Sequence, residues 1–109
     1  MNMYDKLNQT MSDRDVNAYL ELIHEDAVFG FHKTGNEFSK IDWARMITGM
    51  IANDKFIQDL TRCVYENVDI LVQHAFMSYP DDTKEAVMVV AMLKDCKTIR
   101  METGPIPLN

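Results

Sequence analysis

YLELIHEDAVFGF, residues Tyr19–Phe31, changes its hydrophobic period partway along. Tyr19, Leu20 and Ile23 complete an i, i+3, i+4, i+7 pattern begun at Val16, the mark of a helix with one buried face. The polar run His24–Asp26 predicts the end of that helix, and Ala27–His32, rich in β-branched and aromatic residues, predicts a short strand. A second stretch, Lys94–Leu108, KDCKTIRMETGPIPL, reads as a hairpin turn, a last strand over Thr98–Thr103 and a Pro-rich stop. One helix–turn–strand unit therefore opens the chain and one hairpin strand closes it.

Working outward, Met3, Leu7 and Met11 fall at i, i+4, i+8 and predict a short first helix with one apolar stripe. Ser12 and Asp15 have the spacing of a capping box, which predicts the start of the second helix. Thr34-Gly35-Asn36 is a turn signal, with a hairpin return through Glu37–Phe38. Ser39 and Asp42 repeat the capping spacing, and Trp43, Met46, Ile47 and Met50 share one face of a third helix reaching about Ala52. Strand-like segments follow at about Phe56–Glu66, Val68–Tyr79 and Glu85–Lys94, punctuated by Asn67 and by Pro80-Asp81-Asp82-Thr83. Three helices in the N-terminal half followed by strands predict an α+β domain with the helices on one face of a mainly antiparallel sheet.

Composition narrows the function classes. At 109 residues, 47% hydrophobic and 26% charged, the chain reads as a single globular domain over 1–109, able to bury a core without disulfides or metal. Its net charge of −6, with 11 basic against 17 acidic residues, argues against nucleic acid, which needs clustered Lys and Arg. Met1–Met11 carries Asp5 and lacks an uninterrupted apolar core, so it does not read as a secretory signal. No run has the roughly 20 apolar residues of a membrane helix, so the expectation is a cytoplasmic protein with no membrane partner. Cys63 and Cys96 lack the spacing of a zinc or redox pair, and no metal or cofactor is expected.

The two opening stretches, with the strands between them, resemble the nuclear transport factor 2-like superfamily, in its SnoaL-like branch of polyketide cyclase and ketosteroid isomerase relatives. The resemblance spans essentially the whole chain. It implies a cone-shaped, curved antiparallel sheet wrapped around the helices, of cystatin-like type, with a cavity between them. It also implies a homodimer through the convex sheet face, near Arg100 and Glu102. Relatives usually carry Gly where Cys96 stands, because that turn position takes positive φ. Aligned without gaps through Asp15–Ala27, the isomerases' oxyanion Tyr falls on Leu7 and their base on Phe31. Their oxyanion Asp falls within Val89–Val90, and Val87–Leu93 has no acid for a cyclase either.

With those positions apolar, the candidate acid–base groups are histidines, whose unperturbed pKa of about 6.5 suits proton transfer. His32 ends the first strand and is either a catalytic group or a rim residue bonded to backbone. His74 admits two registers. With Val72 and Phe76 it faces the cavity; in the other, Gln73, Ala75, Met77 and Tyr79 face in and His74 faces a partner subunit. The first is taken as the expectation. Tyr19, Phe29, Phe31, Trp43, Asp59 and Met101 are the expected pocket residues. The expected function is binding of an apolar small molecule without the family's usual acid–base set. The alternative is a small cofactor-free isomerase, dehydratase or cyclase that uses histidine on an apolar carbonyl metabolite.

Overall fold

The computed structural model describes residues 2–108. Helix α1 (Met3–Asp13) buries Met3, Leu7 and Thr10; Asn2 caps its start, and it ends on Arg14 in the left-handed region, φ 53°. Helix α2 (Val16–Glu21) is capped by Asp15, whose side chain accepts from Ala18 N at 3.0 Å. The expected Ser12 cap therefore moves to Asp15, because α1 continues through Ser12 to Asp13. Strand β1 (Ile23–Phe31) begins earlier than expected and absorbs His24–Asp26. Its register against the last strand shifts between Ile23 and Val28, so the polar run forms an irregularity rather than a break. Strand β2 (Asn36–Ser39) pairs back on β1, and Ser39 caps helix α3 (Lys40–Ala52), accepting from Asp42 N at 3.3 Å.

Strands β3 (Ile57–Glu66), β4 (Ile70–Ser78), β5 (Lys84–Lys94) and β6 (Lys97–Leu108) complete a six-stranded sheet ordered β2-β1-β6-β5-β4-β3. The sheet is curved and unclosed. All neighbours are antiparallel except β1 and β6, which run parallel. The Pro-rich segment is a strand, not a stop: Pro105 and Pro107 lie opposite Val87 and Glu85 of β5. Thr103 gives its carbonyl to His32 N at 2.9 Å, the last bond between β1 and β6. Pro105 and Pro107 are in phase with Thr103, so their missing N–H groups lie on the side β1 has vacated, where no ladder bond is lost.

The core lies between helices and sheet. Trp43, Ile47, Ile23, Phe29 and Leu71 are buried there, with Leu20 half-buried against them. On β4 and β5 the odd-numbered residues Leu71, Gln73, Ala75, Val87, Val89 and Ala91 are buried; Phe76, Met88 and Met92 are exposed on the outer face.

Candidate functional site

A curved sheet cannot be filled to its open end by its own side chains, and a cavity of about 430 Å³ remains between its inner face and the helices. That lies within the range of roughly 300–1,000 Å³ typical of small-molecule sites. Helix α1 supplies Leu7 and Asn8, α2 Tyr19, and α3 Trp43, Ile47 and Met50; the sheet supplies Phe31, Val89 and Met101. Leu7, Phe31 and Val89 all line this space with apolar surface, and Val90 is not among the lining residues.

Besides Thr34, Asn36 and Thr103, three hydrogen-bonded groups bring polarity to it. Deep in the wall, Trp43 Nε1 donates to the Tyr19 hydroxyl at 3.1 Å. Burial pushes the Tyr19 pKa up to about 12, only partly offset by the bond from Trp43, so the phenol stays neutral. Along the β3–β4 side, Gln58 Nε2 donates to Asn8 Oδ1 at 2.6 Å, and Asn8 Nδ2 donates to Gln73 Oε1 at 3.4 Å. At a third position, Lys33 Nζ meets Glu85 Oε2 at 2.8 Å beside Tyr79. Burial first, then the hydrogen bond and charge of Glu85, raise the Tyr79 pKa well above its ordinary value.

The structure distributes the expected site residues unevenly. Tyr19, Phe31, Trp43 and Met101 line the cavity. Phe29 is core instead, stacked on Trp43 at 5.2 Å between ring centres. His74 takes the other register: it packs edge-on against Phe76 on the outer face, because buried Gln73 and Ala75 claim the inner one. His32 pairs with Glu102 Oε1 at 2.9 Å, and Glu102 alternates with inward Met101 and Thr103, so this histidine also belongs to the outer face. Asp59 is exposed on β3, where it accepts from the Ser78 hydroxyl. Arg100 Nε contacts Glu102 Oε2 at 3.4 Å and its terminal nitrogen meets Glu37 at 2.6 Å, so these charges are paired within one chain.

Sequence reasoning missed Glu85, which continues the inward row of Val87 and Val89 by one step of two; counting the alternation backwards would have found it. It also missed Asn8 and Gln58, whose faces depend on how α1 lies across the sheet.

No family model matches the sequence, and no curated protein matches it. Solved structures do. A candidate ketosteroid isomerase from Kribbella flavida superposes with a TM-score of 0.81 at 14% identity, covering 97% of this chain and 76% of the other. An NTF-2 like protein of unknown function from Burkholderia xenovorans gives 0.77 at 13% identity, covering 97% and 84%. A steroid delta-isomerase from Pseudomonas aeruginosa gives 0.74 at 14% identity, covering 96% and 77%. At such identities the likeness concerns backbone architecture: the chain has the fold of the nuclear transport factor 2-like proteins.

Proposed function

We propose that this protein binds an apolar small molecule in the cavity between sheet and helices, without the acid–base set of the isomerases it resembles in fold. The observation that carries this reading is the wall itself, which is mostly hydrocarbon and aromatic, with Leu7 and Phe31 standing where the resemblance puts the isomerases' oxyanion Tyr and base. Glu85, the carboxylate among the cavity residues, is held by Lys33. The histidine-based alternative loses its geometry, since a base must come within hydrogen-bond reach of its proton and both candidate histidines lie on the outer face.

Trp43 is the chain's only tryptophan and stands in the cavity wall, so it reports occupancy directly. Titration with ethylnaphthalene should quench its fluorescence saturably, at one molecule per chain. Val89→Phe, which fills the wall, should weaken that binding about tenfold or more while the far-ultraviolet circular dichroism is unchanged. Quenching that stays linear and unsaturated in the parent protein would end the reading.

The same reading includes a homodimer through the outer sheet face. Phe76, Met88 and Met92 are 37%, 38% and 41% exposed, side by side on β4 and β5, with Ile70, Val72 and Val90 half-buried beside them. A sheet face of that composition is better covered than wet. Arg100 and Glu102, already paired within the chain, would lie at the edge of the contact rather than cross it.

A further inference from the structure

Three carboxamides lie in a row against the cavity, and their polarity can be worked out from one helix carbonyl. Asn8 Nδ2 donates to the main-chain carbonyl oxygen of Tyr4 at 2.8 Å. A carbonyl oxygen only accepts, so Asn8 must turn its nitrogen toward it and its oxygen the other way. Asn8 Oδ1 then faces Gln58, which must present Nε2, and the 2.6 Å contact is that bond. Asn8 Nδ2 also reaches Gln73, which must therefore present Oε1. Flipping Asn8 alone would set like atoms against each other at every link, and flipping all three would still set the Asn8 oxygen against the Tyr4 carbonyl oxygen.

What remains is the far atom of each glutamine. Gln73 Nε2 has two N–H groups and no acceptor among the described residues; Gln58 Oε1 has no donor. Gln73 is only 7% exposed and lines the cavity, and its Nε2 is not among the side-chain atoms enclosed without a partner, so its free N–H groups are reached from the cavity side. A ligand that displaces water from such a donor without offering it an acceptor loses on the order of 1–3 kcal/mol, and one with an acceptor in the right place avoids that loss.

We infer that Gln73 is the specificity-determining residue of the cavity and that its ligand is an apolar molecule carrying a hydrogen-bond acceptor, which accepts from Gln73 Nε2. This rests on the cavity being a ligand site, and adds which polar group the ligand bears and which residue reads it. Gln73 suits the task because its planar group is pinned through Asn8 to the backbone of α1. Among the other donors of the lining, the Tyr19 hydroxyl is the one set in the deep wall, with a proton free to rotate about its C–O bond.

The test compares acetylnaphthalene, a ketone, with ethylnaphthalene, of the same shape without the oxygen, by Trp43 fluorescence. In Gln73→Leu the ratio of ketone to hydrocarbon affinity should fall about tenfold from its parental value, while in Tyr19→Phe it should hold. Gln73→Glu keeps an oxygen for Asn8 and turns the free atom from donor to acceptor, so it should reverse the parental order and prefer naphthol to acetylnaphthalene. The carbonyl stretch of the bound ketone should lie lower in the parent than in Gln73→Leu. If both naphthalenes bind but the ratio is unchanged in Gln73→Leu, or collapses instead in Tyr19→Phe, the assignment to Gln73 is overturned and the cavity reading stands. If neither binds the parent protein, both fall.

Discussion

Cys96 shows how much one residue can reveal about its backbone. Asp95 and Cys96 have φ of 54° and 63°, and they join Lys94 to Lys97 across the β5–β6 hairpin. Two central residues at positive φ define the mirror-image turn whose twist suits a tight hairpin, where Gly is favoured at the second place. A residue with a Cβ in that conformation costs roughly 1–2 kcal/mol. Cys96→Gly should therefore stabilise the fold by about 1 kcal/mol, raising Tm by about 4–8 °C in scanning calorimetry. Cys96→Ala, which keeps the Cβ, should gain nothing; equal melting of the two variants would mean that the turn is unstrained. The strained position was legible from the resemblance alone. The two histidines were not, because alternation names two faces of a strand without saying which one the helices cover.

Among the elements, the helices hold together partly through one cation. Arg14 closes α1 and sends its guanidinium to the carbonyls of Ile51 at 2.9 Å, Asn53 at 3.1 Å and Phe56 at 2.6 Å. It thereby satisfies carbonyls that the end of α3 leaves without helical partners. Arg14→Ala should cost about 2 kcal/mol in urea unfolding with an unchanged denaturant slope, since hydrogen bonds from charged donors are the stronger kind. A loss below about 0.5 kcal/mol, the level of an ordinary surface change, would show that water replaces the guanidinium. Sequence spacing located all three helices because each has its own apolar stripe, although the cap of α2 is Asp15 and not the expected Ser12. It did not show Arg14 tying two of them together, since residues so far apart meet only once the chain has folded.

At the scale of the whole molecule, the outer sheet face sets the expected assembly. Met88 sits centrally there, opposite His74 on β4 and Gly104 on β6. Sedimentation should give twice the chain mass of 12.6 kDa for the parent at micromolar concentration. Met88→Glu, which places a charge where about 800 Å² per partner would be buried, should give the single mass. A parent that sediments at the single mass refutes the dimer. Cavity binding measured by Trp43 fluorescence should persist in that variant, because Met88 is on the opposite side of the sheet from the cavity wall.

The sequence by itself determined the α+β class and the approximate positions of the helices and strands. These are local facts, set by period, caps and turn residues that act over a few neighbours. Only the tertiary structure decided that β6 continues through Pro105 and Pro107, that His32 and His74 face outward, and that Asn8, Gln58 and Gln73 meet. Each depends on where β1 leaves the sheet or how α1 crosses it, and such long-range packing chooses between faces that a strand's alternation leaves equivalent.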